Sequence, residues 1–338
     1  MIPLLGMTLT ALEELVKSYQ QPRFRAKQIA QWLYQKRATS LDEMTDLPKA
    51  FRQLLCEQYT VGREAPVVTQ CSADGTEKYL FALKAQPTLH FETVYIPEPD
   101  RATLCVSSQV GCKMNCSFCA TGRMGWQANL TTSDIINQVL SVPHSQELTN
   151  IVFMGMGEPL DNYSQVSDAI DILTSDYGFG WSPKRITVST IGVKETMPRL
   201  LSEKSVHVAI SIHNAIPEER LSLMPVERAF PITNVVKELS QHDFSGQRRL
   251  SFEYILFEGL NDSQRHADSL IKAIGHLDCR VNLIPYHTLP DSPYHSPKRE
   301  TIEWFESYLN KHGLRTTTRR SRGQDISAAC GMLSVENQ

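Results

Sequence analysis

The stretch "TLCVSSQVGCKMNCSFCATG", residues 103–122, begins as an apolar strand-like run and ends in three closely spaced cysteines. From residue 103 onward, strand-like runs alternate with amphipathic helical runs. The strand-like runs are TLCVSS, TNIVFM, RITVST, SVHVAISI, RLSFEYIL, CRVNLI and LRTTTR. This alternation predicts an α/β fold in which a parallel sheet forms a whole or partial (β/α) barrel. In such barrels the chemistry lies where strands end and loops begin, which is where these cysteines fall.

In the N-terminal part of the chain, the apolar residues recur first at helical spacing and then at every second position. Residues 10–59 have apolar positions at helical spacing, Thr10 and Glu13 have the spacing of a capping box, and "PKAFRQLLCEQY" predicts a further helix. The runs "PVVTQCS", "TEKYLFAL" and "LHFETVYI" then alternate with period two around an Asp74-Gly75 turn. They predict a small antiparallel β-meander that follows the helical head.

These patterns divide the chain into two predicted domains. Residues 1–97 form an accessory domain made of the helical head and the meander, and residues 98–338 form the barrel and its C-terminal segment. The composition is that of a soluble globular protein, with 41% hydrophobic residues and a net charge of −3. Because there is no basic leader and no run of about twenty apolar residues, we expect a cytoplasmic protein with no membrane partner.

The compartment affects how the cysteines are interpreted. In a reducing cytosol, clustered cysteines more often bind metal or act catalytically than form structural disulfides. Cys112, Cys116 and Cys119 have the spacing C-x3-C-x2-C and can point at one centre from a single loop. A cubane iron–sulfur cluster normally takes four cysteines, so three leave one iron open. A structural zinc site is the alternative, but it needs four ligands and no second ligand pair appears nearby.

The cysteine loop resembles a known signature. The pattern C-x3-C-x2-C with an aromatic residue, here Phe118, before the last cysteine is similar to that of radical S-adenosylmethionine enzymes. Members of that superfamily hold a [4Fe-4S] cluster whose open iron binds S-adenosylmethionine. The resemblance implies one cluster per chain, with Cys112, Cys116 and Cys119 as its ligands. It also implies that cofactor contacts come from loops at the strand ends, namely Gly157, Glu158, Ser189, Ser211, Ile212, His213 and His287.

Over roughly residues 10–334 the chain resembles the RlmN/Cfr family of radical methylases that act on adenosine in RNA. The motifs, in order, are ETVYIP, TLCVSSQVGCKMNCSFCATG, FMGMGEP, STIGV, SIHN, NLIPYH and DISAACG. The resemblance implies that Cys330 is methylated by a first S-adenosylmethionine and that a second one is cleaved, so two are used per turnover. It further implies that Cys105 releases the product through a transient disulfide with Cys330, and that Glu92 is the base.

The family resemblance also implies substrates and partners. These are rRNA, at adenine 2503 of the 23S molecule, and tRNA, at adenine 37, with methylation at C2 of the ring. A low-potential electron donor of the flavodoxin type and a thiol reductant are expected as well. Basic runs are usually solvated surface, but against this background we expect five residues of the helical head to grip RNA: Arg23, Arg25, Lys27, Lys36 and Arg37.

Some alternatives stay open. Methylation at C8 of adenine uses the same cysteines. A zinc-stabilised RNA-binding protein without catalysis would use the triad of Cys112, Cys116 and Cys119 to stabilise its fold. A redox sensor built on Cys105 and Cys330 would leave the triad unexplained. His287 stands where many family members carry asparagine, so its contact is the least secure.

The single residues carry further expectations. Glu92 alternates with apolar neighbours, so we expect a partly desolvated carboxylate with the raised pKa that suits a base. The small residues around Cys330 predict an accessible thiol. Cys56, Cys71 and Cys279 are expected to be buried small hydrophobes.

Overall fold

The structure is a computed structural model that describes residues 1–246, 248–289 and 291–333. A helical head begins the chain, as predicted. Its elements are β1 (Ile2–Pro3), α1 (Leu9–Ser18), α2 (Phe24–Ala30), which continues into a π-helical turn (Gln31–Gln35), a 3-10 turn (Leu41–Glu43), α3 (Lys49–Gln58) and β2 (Tyr59–Thr60).

The start of α1 differs from the sequence prediction. Its N-cap is Thr8, whose hydroxyl accepts from the backbone N–H of Ala11 at 3.4 Å. The capping box placed at Thr10 and Glu13 is therefore wrong, because the helix begins at Leu9 and Thr10 already lies in its first turn. The head is tied to the rest of the chain by Arg37, whose Nη1 donates to Oγ of Ser145 at 2.9 Å.

The predicted meander is present and belongs to a larger sheet. Its strands are β3 (Val68–Cys71), β4 (Glu77–Leu83) and β5 (Gln86–Glu98), and they pair antiparallel with one another. Gly75 has a φ of 84°, as the tight turn between β3 and β4 requires. The next strand, β6 (Arg101–Cys105), pairs antiparallel with β5, so the meander and the barrel strands share one sheet. The domain boundary at residues 97/98 stays a prediction.

The second part alternates strands and helices. In chain order its elements are β7 (Gln109–Val110), α4 (Ala120–Arg123), β8 (Ala128–Asn129), α5 (Thr132–Ser141), β9 (Asn150–Phe153), α6 (Tyr163–Thr174), β10 (Ile186–Thr190), α7 (Met197–Glu203), β11 (His207–Ser211), α8 (Pro217–Leu223), α9 (Ile232–Leu239), β12 (Leu250–Leu256), α10 (Gln264–Ile274), β13 (Cys279–Pro285), α11 (Arg299–Lys311) and β14 (Thr316–Thr318). All seven strand-like runs of the sequence appear as strands.

The described residues place ten strands in one sheet, in the order β14-β13-β12-β11-β10-β9-β6-β5-β4-β3. From β6 to β14 the neighbouring strands are parallel. Because β14 and β3 are not paired with each other, the barrel is open, and the predicted partial (β/α) barrel is confirmed. No helix in these residue ranges is long and apolar enough to cross a membrane.

The two faces of the sheet differ in polarity. The face toward the helices is apolar, and Val188, Val208, Phe252 and Val281 are fully buried there. The opposite face, called the inner face below, carries polar side chains. Residues in register on neighbouring strands point to the same face, and the pairings place on the inner face Glu92, Cys105, Ser189, Ser211, Glu253 and Asn282.

Candidate active site

The cysteine loop follows β7 and is folded tightly. The N–H of Cys112 donates to the carbonyl of Gly125 at 3.2 Å. At Gly111, whose φ is 71°, a Cβ atom would lie 1.7 Å from that carbonyl oxygen, so only glycine fits. A Cβ at Gly122 would approach the backbone of Cys116 to 3.0 Å. These close approaches fold the loop and the start of α4 around the cysteines.

The three thiols lie near one another in a low-dielectric setting. Burial raises the pKa of Cys112 to about 12 and also raises the pKa of Cys116, and in each case the charges of neighbouring cysteines act in the same direction. Burial likewise raises the pKa of Cys119, against N–H donors at Thr121 and Gly122. Three thiolates so placed repel one another unless a positive centre lies between them.

This donor set fits an iron–sulfur cluster. The candidate donors are soft sulfur atoms on one loop, and backbone N–H groups point at two of them, as is usual around cluster sulfurs. Arg220 adds a positive charge near Cys116. In the part of the chain that the structure describes, no group of three or more His, Cys, Asp or Glu side chains surrounds the position of a single metal ion.

The glycine loop after β9 packs against β7. Gly157 has a φ of 97°, and a Cβ atom there would lie 2.5 Å from Cβ of Gln109. A Cβ on Gly155 would meet Oγ of Ser107 at 2.7 Å. The loop backbone is thereby held against the strand that leads into the cysteine loop, where it can approach a ligand closely.

Glu158 links the glycine loop to the end of β10. Its buried carboxylate accepts from Oγ1 of Thr190 at 2.5 Å and from the N–H groups of Leu160 and Ile191 at 3.0 and 3.1 Å. Burial raises the pKa of Glu158 to about 7, although these hydrogen bonds oppose the rise. These hydrogen bonds brace the glycine loop against β10 beside Ser189, and the contact of Glu158 with S-adenosylmethionine stays a prediction.

The end of β11 is held by Arg220, which the sequence analysis missed. This fully buried guanidinium donates from Nη2 to the carbonyl of Ser211 at 3.0 Å and from Nε to the carbonyl of Ile212 at 2.9 Å. Its Nη1 forms an ion pair with buried Glu227. Because Arg220 lies on α8, a short helix that the sequence pattern did not predict, no spacing signal connected it with β11.

His213 joins the cysteine loop to the end of β11. Its Nδ1 accepts the N–H of Ile255 at 3.1 Å, so the neutral ring carries its proton on Nε2. Burial lowers the pKa of His213 to about 3, and the charge of Arg220 acts in the same direction. The ring meets that of Phe118 edge-on, with 5.0 Å between centroids, so the residue between two cysteines packs directly on this histidine.

Glu92 is buried on the inner face, where the sequence had suggested partial desolvation. Its Oε1 lies 3.0 Å from Nζ of Lys78, which is itself buried. Val94, two residues along β5, is directly opposite Cys105 on β6. Glu92 and Cys105 therefore point to the same side of the sheet, and Lys78, which no motif marked, belongs with them.

The C-terminal segment returns Cys330 to this face. The segment is anchored at one end by Ser72, whose Oγ donates to Asp325 at 2.6 Å, and at the other by the carbonyl of Gly331, which accepts from the N–H of Ala120 at 2.8 Å. It thus runs from the meander to the cysteine loop and carries Cys330 past Cys105.

The two outer thiols influence one another. Burial raises the pKa of Cys105 to about 12, and the charge of Cys330 raises it further. Both cysteines are free; Cys105 is buried and Cys330 is exposed as a residue. Burial nevertheless raises the pKa of the Cys330 thiol, so its accessibility stays a prediction. The structure therefore brings together two residues that are far apart in the sequence.

Comparisons with known proteins agree with this geometry. Residues 2–61 match the family described as Ribosomal RNA large subunit methyltransferase N-terminal domain, and residues 106–270 match the Radical SAM superfamily. A "Probable dual-specificity RNA methyltransferase RlmN" of Bacteroides thetaiotaomicron is 56% identical over 99% of this chain and 97% of its own length. The chain belongs to the RlmN family.

One further relative and one solved structure extend the match. The "Dual-specificity RNA methyltransferase RlmN" of Desulfotalea psychrophila is 40% identical over 99% of this chain and 95% of its own length. A crystal structure of a radical SAM methyltransferase from Sphaerobacter thermophilus is 40% identical, covers 99% of this chain and 100% of its own, and superposes with a TM-score of 0.92. The resemblance to the RlmN/Cfr family and the radical SAM fold are thereby confirmed.

The remaining predicted residues of this RlmN-type chain are His287 and three further cysteines. His287 is half-buried, burial lowers its pKa, and its Nε2 lies 3.1 Å from Oγ of Ser321. Cys279 is buried as expected, whereas Cys56 and Cys71 are exposed, so that part of the prediction is wrong. Cys56 lies on the solvent side of α3. Cys71 lies on β3, which is the edge strand of the sheet in the described residues and pairs on one side only, with β4.

The basic residues of the RlmN-type head have internal partners. Arg23 lies 2.7 Å from Glu13, Nη1 of Arg25 donates to the carbonyl of Asp46 at 2.7 Å, and Arg37 holds the head to Ser145. Lys36 covers the ring of Trp32 at 3.7 Å, and Lys27 is exposed. Their grip on RNA stays a prediction.

Proposed function

We propose that the chain methylates C2 of adenine in RNA, at adenine 2503 of 23S rRNA and adenine 37 of tRNA. The convergence of Cys105, Cys330 and Glu92 on one face beside the cysteine loop carries this proposal. Ring carbon C2 is electrophilic, so a methyl cation finds no nucleophile there, and the reaction needs a methyl carrier and a radical route. The names of the relatives, dual-specificity RNA methyltransferases, support the RNA substrate.

The cofactor assignments follow from the loops described above. Cys112, Cys116 and Cys119 would hold one [4Fe-4S] cluster per chain. S-adenosylmethionine would contact Gly157, Glu158, Ser189, Ser211, Ile212, His213 and His287, and two molecules would be used per turnover. When bound, the cluster and S-adenosylmethionine together supply the one-electron chemistry that removes a hydrogen atom from a methyl group.

The protein residues then act in order. The sulfur of Cys330 takes a methyl group from the first S-adenosylmethionine and loses its thiol proton. After the methyl loses a hydrogen atom, its carbon bonds to C2. The adduct radical then gives up one electron, which the oxidised flavodoxin-type partner takes back, and the C2 proton, which Glu92 accepts. The ionised carboxylate that this needs is favoured by Lys78.

Release depends on the two thiols. The sulfur of Cys105 gives up its thiol proton and attacks the sulfur of Cys330, a disulfide forms, and the carbon–sulfur bond breaks with its electron pair on carbon. That carbon takes a proton and becomes the methyl group of the product. A thiol reductant then returns both cysteines to the free form, and a flavodoxin-type donor supplies the electron for the next turnover. These needs place the protein in the cytoplasm.

We propose that the accessory domain, residues 1–97, binds RNA and supplies the base Glu92, and that residues 98–338 carry the other reacting groups. Of the five basic residues of the head, exposed Arg23, Lys27 and Lys36 are the ones best placed to reach a phosphate backbone.

Product analysis tests the function. Purified protein, reconstituted with iron and sulfide without air, is incubated with S-adenosylmethionine, a reductant and a 23S rRNA fragment or tRNA. Nuclease digestion and mass spectrometry should detect 2-methyladenosine at the named positions. 8-Methyladenosine would overturn the C2 assignment, and a colourless protein that binds one zinc and leaves the RNA unmodified would overturn catalysis.

A further inference from the structure

Glu253 on β12 is a buried carboxylate that the proposed chemistry does not use. Only 3% of the residue is exposed, on the inner face. Its Oε1 accepts from Nδ2 of Asn282 at 2.8 Å, from Nη2 of Arg319 at 3.4 Å and from Oγ of Ser251 at 3.3 Å. Its Oε2 is buried and has no hydrogen-bond partner among the residues that the structure describes. A buried carboxylate oxygen in this state is costly, so a ligand donor there stabilises it.

Arg319 lies between this carboxylate and the two outer thiols. Its backbone N–H donates to the carbonyl of Leu283 at 2.8 Å, which fixes it just after β14. Its Nη1 is 3.6 Å from Sδ of Met154, a weak acceptor, so its donors are not saturated. Met154 lies two residues after the β9 position that pairs with Cys105, so this contact places the guanidinium beside that thiol. The charge of Arg319 also acts on the pKa of both Cys105 and Cys330.

The charges of the pair exclude one class of ligand. A guanidinium alone would favour a phosphate, but Glu253 neutralises Arg319. The pair then offers one unpaired acceptor, Oε2 of Glu253, beside donors of Arg319 that are not saturated. This arrangement suits a neutral ligand that carries a donor next to an acceptor. The edge of adenine has this pattern, with the 6-amino group beside ring N1.

We propose that Glu253 and Arg319 read the edge of the substrate adenine, with Oε2 of Glu253 accepting from the 6-amino group and Arg319 donating to N1. The choice of adenine rests on the proposed function. Because C2 is bonded to N1, a positive donor at N1 also stabilises negative charge that develops in the ring during methylation. S-adenosylmethionine carries an adenine too, but the position of the pair beside Cys105 and Cys330 assigns it to the RNA base.

Base analogues test this specificity directly. Two RNA fragments are compared, one with adenosine at the target and one with purine ribonucleoside, which keeps N1 and C2 and lacks the 6-amino group. The native protein should have a higher kcat/KM for the adenosine fragment than for the purine ribonucleoside fragment. Glu253→Leu should reduce the ratio of these two kcat/KM values by about 10- to 100-fold. Glu253→Gln, which keeps an acceptor, should retain most of the preference. Glu303→Leu, in an exposed ion pair with Arg299, is the matched control and should leave it unchanged.

Two results would overturn the proposal. One is a native protein that methylates both fragments equally, which needs no variant and therefore stands even if Glu253→Leu does not fold. The other is a Glu253→Leu protein with the native preference but weaker binding of S-adenosylmethionine without RNA, which would assign the pair to the cofactor's adenine. Failure of the proposed function is distinct, since adenosine itself would then not be methylated by the native protein.

Discussion

Nζ of Lys78 lies 3.0 Å from Oε1 of Glu92, and both side chains are buried on the inner face of the sheet. A buried carboxylate without such a partner would favour its neutral form, which cannot accept a proton. The positive charge of the Lys78 ammonium favours the ionised form of Glu92. The cost of burying the two charges together suggests a role beyond stability, because an apolar pair would hold the sheet equally well.

Glu92→Gln should lower the rate of methylation by at least about 100-fold, because a positioned base contributes that much or more. RNA should remain joined to Cys330, since the adduct forms but its C2 proton stays. Denaturing gels detect the joined species, and mass spectrometry measures the product. Lys84→Met, which removes the lysine of the exposed Lys84–Glu64 pair, is the matched control. Normal product from Glu92→Gln would assign the base elsewhere.

The two outer cysteines should give opposite outcomes. Cys105→Ala should trap RNA covalently on Cys330, because no thiolate remains to attack the sulfur. Cys330→Ala should abolish methylation without any joined species. Cys71→Ala, at an exposed thiol on the edge strand, should behave like the native protein in both assays. Free methylated RNA from Cys105→Ala would show that another group releases the product.

The metal content separates a cluster from zinc. Protein prepared without air should be brown and hold about four iron and four sulfide per chain. Replacing any one of Cys112, Cys116 or Cys119 with alanine should remove most of that iron, whereas Cys56→Ala should not, because that thiol is exposed on α3. One zinc per chain with no iron would contradict the assignment.

The sequence predicted what depends on local pattern. The alternation of strands and helices gave the seven parallel strands, and spacing placed Cys112, Cys116 and Cys119 in one loop. Lys78 and Arg220 were not found, because their contacts depend on strand register and on helix packing across the sheet. Neither follows from spacing along the chain.

The same limit applies to the helices. The unpredicted α7 (Met197–Glu203) and α8 (Pro217–Leu223) are seven residues each, too short to show an amphipathic period. Because α8 is so short, the sequence pattern did not indicate Arg220, whose hydrogen bonds hold the end of β11 in place. A residue on one element that positions a site on another element therefore cannot be predicted from the spacing of residues along the chain.

Removal of Arg220 should destabilise the fold and the cofactor site together. Arg220→Met leaves the carboxylate of Glu227 buried without its partner and frees the carbonyls of Ser211 and Ile212. We expect a loss of about 3–5 kcal/mol in the free energy of unfolding and weaker binding of S-adenosylmethionine. Urea unfolding and equilibrium dialysis measure the two effects. Arg199→Met, in an exposed pair with Glu203, should change neither.

His213 should make the protein sensitive to mild acid. Its folded pKa is about 3, against 6.5 for the ordinary imidazole, because burial disfavours the charged ring. Between these values the unfolded chain binds a proton that the folded chain does not, so the stability that His213 contributes is complete above pH 6.5 and is lost as the pH falls toward 3. One pH unit in this window corresponds to about 1.4 kcal/mol.

The variant His213→Gln isolates this effect, since an amide has no such proton and its oxygen can still accept from Ile255. Between pH 7 and pH 5 the free energy of unfolding of the native protein should fall by about 2 kcal/mol more than that of the variant. Urea unfolding at both pH values measures the difference. His276→Gln, at an exposed histidine, should follow the native protein. Equal pH dependence of native and His213→Gln proteins would mean that the buried ring is protonated in the folded state, and that its Nδ1 does not accept from Ile255.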